Sequence, residues 1–207
     1  MTPATRSLAV FLAAGLALGV WAAPALGAKQ EVGPRVKVEG SRLPTPDADT
    51  FGTADDPAVG RTPPTLVGEG FNGKSVTVGP SDGPRIVVFL AHWCPHCQDE
   101  VPLIVKLAKQ GSIEGVEVDT IATGTSEVHP NYPPSKWLKR EGWPFKPILA
   151  DDARSRALEA FGGNSFPYFV FVAADGTVAA RYSGEIAAAD VKEVVARLVA
   201  GRSLFGE

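Results

Sequence analysis

The chain has 207 residues, of which 44% are hydrophobic and 21% are charged, and its formal net charge is −3. This length and composition allow one sizeable buried core, and they exclude a large multi-domain assembly and a chain that is disordered throughout. The weak negative charge disfavours nucleic acid as a partner. Because the only cysteines are Cys94 and Cys97, a scaffold of several disulfides and a four-cysteine zinc site are also excluded.

Residues 1–28 have the pattern of an export signal. Arg6 is their only charged residue, and residues 7–28 form an uncharged, largely apolar run. Small residues at 23–25 and 25–27 are typical of a cleavage site, although the run is also long enough to span a bilayer. We therefore predict an extracytoplasmic protein, secreted or in a periplasm-like space, in which residues 7–28 are a removed signal peptide or, alternatively, a membrane anchor. Such a compartment is oxidising, so a lone cysteine pair is expected to be redox-active.

Residues 29–64 differ in composition from the segments on either side. They contain six prolines and four glycines, and they show no sustained apolar periodicity. This composition predicts a semi-extended linker. Residues 65–207 are predicted to form the folded domain.

The pattern of the domain alternates strands with helices and ends in a hairpin. Apolar runs bounded by turn residues predict strands over 75–78, 85–91, 116–123, 147–150, 168–172 and 178–182. A helical period of apolar residues predicts helices over 94–110, 135–141, 152–161 and 187–200. The dipeptide Asp175-Gly176 predicts a hairpin turn between the last two strands. The fold class is therefore α/β, with a mixed central sheet flanked by helices.

Residues 68–75 match two phosphate-binding patterns, GxGxxG and GxxxxGK[ST]. Either site needs a helix to begin at the final glycines, so that its free N–H groups can bind phosphate. The residues that follow instead predict a strand, which Gly79-Pro80 ends. We therefore interpret this segment as a turn at Asn72-Gly73 that leads into an edge strand.

The motif that carries chemistry is Trp93-Cys94-Pro95-His96-Cys97, placed where the apolar strand ends and the first helix begins. A spacing of three residues on a helical turn brings two sulfurs within reach of a disulfide. The helix N-terminus stabilises a thiolate, so Cys94 is predicted to be the nucleophile. Cys97 lies one turn further in and should stay protonated until it resolves a mixed disulfide.

The other residues of this motif also have predicted parts in the site. Pro95 fits the first helical turn, where a missing N–H is tolerated. His96 could donate to the sulfur of Cys94 or, as a cation, neutralise its thiolate. Trp93 is expected to pack beside the disulfide and shield it. Glu100, three residues after Cys97, could relay the proton that Cys97 must lose, or it could be a solvated acid on the helix surface.

These residues resemble the thioredoxin superfamily and, within it, the exported TlpA/ResA/DsbE-like thiol-disulfide oxidoreductases. The resemblance covers about residues 65–205 and implies a thioredoxin fold. Pro102 matches the proline that kinks the active-site helix of the family, and Glu100 resembles the acidic residue of ResA-type proteins. Phe166-Pro167 resembles the cis-proline of the family, whose backbone faces the disulfide and pairs with a bound substrate strand. The segments 142–144 and 151–152 also resemble the TlpA-like pattern.

Three features depart from the closest family patterns. Phe166 is bulkier than the residue that commonly precedes the cis-proline, and Val88 replaces the buried aspartate of cytosolic thioredoxins. The dipeptide Pro95-His96 is associated with the oxidant DsbA. That protein inserts a helical domain before its cis-proline, and the stretch between Cys97 and Pro167 leaves little room for one.

The motif and the resemblance together predict an enzyme that exchanges a Cys94–Cys97 disulfide or dithiol with cysteine-containing client proteins. The resemblance implies substrate binding by Trp93, Phe166 and Pro167, and no cofactor beyond the redox-active disulfide. A membrane or exported redox partner would recycle the pair, and no residue is assigned to a metal.

The direction of electron flow depends on opposing effects. His96 and the helix N-terminus stabilise the reduced form and favour an oxidant, whereas Glu100 and the resemblance to reductases that serve cytochrome c maturation favour a reductase. We predict an oxidant, because His96 lies inside the loop that the cysteine pair closes.

Two rival functions stay open at this point. Cys94, Cys97 and one of His92, His96 or His129 could bind copper or zinc, as in copper-delivery proteins with a thioredoxin fold. The other rival function is a binding module that uses the cis-proline groove without turnover. His92 and His129 themselves are predicted to be surface or loop residues.

Overall fold

A mixed β-sheet organises the described part of the chain, which comprises residues 31–80 and 82–206 of the computed structural model. Within these residues there are eight strands and four helices. The strands are β1 (Lys37–Glu39), β2 (Thr65–Gly70), β3 (Ser75–Val78), β4 (Arg85–Leu90), β5 (Glu117–Ala122), β6 (Ile148–Ala150), β7 (Tyr168–Val172) and β8 (Val178–Ser183). The helices are α1 (Pro95–Lys109), α2 (Pro134–Arg140), α3 (Arg156–Ala160) and α4 (Ala188–Val199).

The strand order is β1-β2-β6-β5-β4-β7-β8, and β3 pairs with β2. β4, β5 and β6 are parallel to each other, while β7 and β8 join the other edge of β4 as an antiparallel hairpin. The predicted mixed sheet is therefore confirmed, and the arrangement is a thioredoxin-like fold. Residues 68–75 end β2 and turn into β3 without a helix, as expected for a segment that does not bind phosphate.

The central strand β4 is buried on both faces of the sheet. Ile86, Val88 and Leu90 lie in one hydrophobic cluster with apolar residues of α1, α2 and α4. Val87 and Phe89 lie in the other, with α3 and the segment before β2. Because successive side chains of a strand point to opposite faces, a strand covered on both sides is apolar at successive positions, here from Ile86 to Leu90. This burial explains the continuous apolar run that predicts β4.

The segment predicted as a linker packs on the domain over its described residues, 31–64. Val36, Leu43 and Ala58 are buried, and β1 pairs with β2. The N–H of Val36 donates to the carboxylate of Asp152 over 3.0 Å. The linker interpretation is therefore wrong for this segment, because its buried apolar side chains, although far apart in the sequence, belong to one cluster. Residues 1–28 lie outside the described residues, so the export signal stays a prediction.

Most predicted elements are present with small shifts at their ends. The largest difference is α3, predicted from residue 152 and observed from Arg156, because the carboxylate of Asp152 binds the N–H groups of Arg154 and Arg156 in the preceding turn. In α4, Val191, Val195 and Leu198 are buried, whereas Val199 is exposed. No helix among the described residues is long and apolar enough to cross a membrane.

Candidate active site

The cysteine motif lies where β4 ends and α1 begins. Cys94 is the N-cap residue of α1, with extended backbone angles of φ −72° and ψ 122°, and Pro95 is in the first turn. The N–H of Cys94 donates to the carbonyl of Ala91 over 3.1 Å, and its own carbonyl accepts the N–H of Gln98 over 3.1 Å. The first sulfur is therefore placed at the positive end of the helix dipole, as the sequence predicts.

Both cysteines are free thiols in this structure, and both are buried. Cys94 retains 6% exposure and Cys97 has 0%. Burial raises the pKa of the Cys97 thiol well above its usual range, and the nearby Cys94 and Glu100 raise it further. A thiol in these surroundings keeps its proton at neutral pH. This is the property that we expect of a resolving cysteine.

The residues around Pro167 lie opposite the first cysteine. The Cys94 thiol donates to the carbonyl of Phe166 over 3.5 Å, and the Phe166–Pro167 peptide bond is cis. Pro167 is buried, and its carbonyl accepts the N–H of Gly184 over 2.9 Å. The structure thus brings Cys94 next to Phe166 and Pro167, which follow it by more than 70 residues in the sequence.

Trp93 forms one wall of the site. Its indole N–H donates to the carbonyl of Gly124 over 2.7 Å, which fixes the ring. The ring meets Phe166 edge to face at 5.8 Å between centroids and contacts the ring of His129 at 5.3 Å. Trp93 and Phe166 are both partly exposed, so they offer an apolar surface next to the thiols.

His96 does not lie as the sequence interpretation expects. Its Nδ1 is 2.6 Å from a carboxylate oxygen of Glu185, and its side chain is 66% exposed. Among the described residues no hydrogen bond joins His96 to the Cys94 sulfur, which donates to Phe166 instead. Glu185 follows β8 and is 89 residues away in the sequence, so no local pattern could have identified this partner.

Glu100 is buried, with 1% exposure, and is not the solvated surface acid of the alternative interpretation. Its Oε2 accepts the N–H of Ile186 over 3.0 Å, while its Oε1 is buried without a hydrogen-bond partner. Burial raises the pKa of this carboxyl to about 7, the hydrogen bond from Ile186 opposes that rise, and the nearby Glu185 adds to it. A carboxyl with this pKa can accept or release a proton at neutral pH.

His92 lies in the turn between β4 and α1, as predicted for a loop residue, but it is buried and not at the surface. Its Nδ1 lies 2.7 Å from the carbonyl of Pro130, and its Nε2 accepts the N–H of Ser126 over 3.2 Å. Burial lowers the pKa of this imidazole, which fits a neutral ring with its proton on Nδ1. His92 thus ties the turn before Cys94 to the loop after β5, and sequence reasoning missed this structural part.

The residues of the rival metal site do not assemble around the thiols. Within residues 31–80 and 82–206, no group of three or more His, Cys, Asp or Glu side chains is arranged to hold a metal ion. His92 and His96 are instead bound to Pro130 and Glu185.

Comparison with known proteins gives concordant results. The model of the AhpC/TSA family matches residues 59–181. The chain is 31% identical over 103 residues to the thiol:disulfide interchange protein DsbE of Haemophilus influenzae, a match that covers 50% of this chain and 52% of that protein. It is 25% identical over 137 residues to the thiol-disulfide oxidoreductase ResA of Geobacillus thermodenitrificans, covering 66% of this chain and 75% of that protein.

A solved structure shows the same fold. A secreted Mycobacterium tuberculosis disulfide oxidoreductase, homologous to E. coli DsbE, superposes with a TM-score of 0.53 at 23% identity. The superposition covers 64% of this chain and 95% of that protein.

Proposed function

We propose that this chain, which belongs to the AhpC/TSA family, is a thiol-disulfide oxidoreductase that exchanges a Cys94–Cys97 disulfide or dithiol with cysteines of client proteins. The observation that carries the proposal is the placement of the Cys94 thiol at the N-terminus of α1, facing the carbonyl of Phe166 beside a cis-proline. This placement joins a site for thiolate formation to a backbone edge that a client strand can reach. The names of the two curated relatives, DsbE and ResA, support the same chemistry.

The exchange proceeds through a mixed disulfide. In the oxidising direction, a client thiolate attacks the Cys94 sulfur of the disulfide, and Cys97 leaves and takes up a proton. A second client thiolate then attacks the client sulfur of the mixed disulfide, and Cys94 leaves as a thiolate. The client gains one disulfide, and the cysteine pair gains two electrons. The reverse sequence reduces a client disulfide, and in that direction Cys97 must lose its proton to resolve the intermediate.

The client is proposed to bind along the surface formed by Trp93, Phe166 and Pro167. The carbonyl of Pro167 already accepts the N–H of Gly184 and the hydroxyl of Ser183, which fixes this segment against the end of β8. The carbonyl of Phe166 is bound only by the Cys94 thiol among the described residues, so it becomes available when that thiol reacts. The two aromatic rings would cover the apolar flanks of the client cysteine.

The direction of electron flow is the finer part of the proposal. We infer an oxidant, because the N-terminus of α1 favours the thiolate of the reduced form. The His96 imidazole would add to this effect only to the extent that its pairing with Glu185 leaves it free. The observation that favours a reductase instead is Glu100, a buried acid close enough to Cys97 to raise the pKa of its thiol. The resemblance to TlpA/ResA/DsbE-like reductases that serve cytochrome c maturation favours the same alternative.

We also infer an extracytoplasmic location, from the export pattern of residues 1–28. A membrane or exported redox partner would then recycle the cysteine pair. Fractionation of cells that express the full chain tests this location, and recovery of the protein in the cytoplasm with its N-terminus intact would contradict it.

Trapping of mixed disulfides tests the division of labour between the cysteines. Cys97→Ala removes the resolving thiol, so covalent complexes between Cys94 and client proteins should accumulate. Cys94→Ala should trap few, because the remaining thiol is fully buried and its pKa is raised. Non-reducing electrophoresis followed by mass spectrometry measures both. Equal trapping by the two variants would contradict the assignment.

The reduction potential tests the direction. An oxidant should equilibrate with glutathione well above the potential of thioredoxin, about −270 mV, because its reduced form is the stabilised one. His96→Ala should lower the potential only slightly, because the imidazole is bound to Glu185 and not to the Cys94 sulfur. A couple near −270 mV that His96→Ala leaves unchanged would favour the reductase.

A further inference from the structure

The loop after β8 contacts the cysteine motif and the helical turn that follows it through two successive residues. The carboxylate of Glu185 binds the imidazole of His96 at 2.6 Å, and the N–H of Ile186 binds the carboxylate of Glu100 at 3.0 Å. His96 lies between the two cysteines, and Glu100 lies one turn beyond Cys97 on α1. One short segment from the edge of the sheet therefore contacts two ionisable side chains, one between the cysteines and one just after them.

The contact with His96 matters because an imidazole N–H can serve only one strong acceptor. While the Nδ1 proton of His96 points at Glu185, it is not available to the Cys94 sulfur, and the positive charge of a protonated ring is offset by the carboxylate. The Cys94 thiol accordingly has its hydrogen bond with Phe166 and not with His96. Both effects weaken the stabilisation that His96 could otherwise give to a thiolate.

We propose that Glu185 is a positioning residue that holds His96 away from Cys94 and so makes the Cys94–Cys97 couple less oxidising than its Pro-His dipeptide alone would. The inference rests on the proposed redox function and adds a residue that affects the reduction potential of the cysteine pair. The side chains of Glu185 and His96 are 48% and 66% exposed, so they form a surface ion pair. The effect of this pair on the Cys94 thiolate is therefore modest.

Alkylation of Cys94 measures the effect without any client protein. Cys97→Ala leaves Cys94 as the only thiol of the chain, and its rate of reaction with iodoacetamide at pH 6 reports the fraction present as thiolate. In this background Glu185→Gln should raise the rate about two- to fivefold. In a His96→Ala background the same substitution should change the rate by less than about 1.5-fold, because the imidazole that it releases is gone.

Glu193→Gln is the matched control. Glu193 is an exposed acid of α4 that pairs with Arg197, so its substitution removes the same charge from another part of the surface. It should leave the alkylation rate unchanged. An unchanged or lower rate with Glu185→Gln, or an equal rise in the presence and absence of His96, would overturn the proposal.

Equilibration of the two-cysteine protein with glutathione separates this inference from the proposed function. Glu185→Gln should shift the equilibrium about two- to fivefold towards the dithiol form. If no variant, including the unsubstituted chain, exchanges with glutathione, the proposed function fails, while the alkylation rates still decide whether Glu185 controls His96. If the unsubstituted chain exchanges normally and Glu185→Gln shifts nothing, only the inference about Glu185 fails.

Discussion

Burial raises the pKa of two side chains of α1, Cys97 and Glu100, with different consequences. It raises the pKa of the Cys97 thiol beyond the physiological range, and it raises the pKa of the Glu100 carboxyl to about 7. Cys97 therefore cannot ionise at neutral pH without help, whereas Glu100 is poised between its two protonation states. Residues three apart on a helix lie on the same side of it, so the carboxyl is well placed to take the proton that the thiol must lose.

Glu100→Gln should slow resolution of a mixed disulfide by Cys97 about a hundredfold at pH 7, the usual scale for loss of a general base. Glutamine keeps an oxygen that can accept the N–H of Ile186, so the local structure should persist. This step is measured as the rate at which Cys97 releases the partner from a stable mixed disulfide at Cys94. The inflection near pH 7 in the pH profile of that rate should disappear in the variant. A profile that keeps this inflection would mean that Glu100 has no part in the proton transfer.

The same substitution has a second consequence for stability. Between the ordinary carboxyl pKa of 4.5 and the raised value of about 7, Glu100 is protonated in the folded chain and ionised in the unfolded chain. The folded state then binds more protons, so this group lowers the free energy of unfolding as pH rises through that window, and the loss is complete above about pH 7. Glu100→Gln should remove this contribution. Chemical denaturation at pH 5 and pH 8 measures it, because the free energy of unfolding should fall less between the two pH values in the variant than in the unsubstituted chain.

At the scale of the elements, the sequence predicts those whose signal is local. β4 is a continuous apolar run, and the cysteine motif places the start of α1 within one residue. β2 gives no such signal, because two of its three inward positions are Gly68 and Gly70. A side chain at Gly70 would meet the carbonyl of Ile148 at 2.9 Å, so glycine is required where β6 pairs closely with this strand.

The residues of the candidate site also differ in whether a local sequence pattern predicts them. The two cysteines, Pro95 and the Phe166-Pro167 dipeptide could be predicted, because each carries its pattern in adjacent residues. Glu185 could not, because its part depends on the hairpin β7–β8 bringing a distant loop to the start of α1. The error in the interpretation of His96 has the same origin, since its partner is set by tertiary structure and not by its neighbours in the motif.

At the scale of the whole molecule, a buried ion pair joins the segment before β2 to the far edge of the sheet. The guanidinium of Arg181 in β8 binds both carboxylate oxygens of Asp56, and neither side chain is exposed. It also donates to the carbonyl of Pro44 over 2.7 Å and lies 5.8 Å from the ring centroid of Phe51. One arginine thus holds three separate points of residues 44–56 against the domain.

Asp56→Ala should destabilise the protein by about 3–5 kcal/mol, because it leaves the buried guanidinium without its counter-charge. Chemical denaturation measures the change. Glu193→Ala serves as the control, since it breaks an exposed helix pair and should cost about 0.5 kcal/mol or less. Arg181 is in β8, which pairs with β7 directly after Pro167, so loosening this pair should also raise hydrogen exchange in the hairpin next to the thiols. A loss below about 1 kcal/mol would mean that residues 44–56 are not held to the sheet by this ion pair.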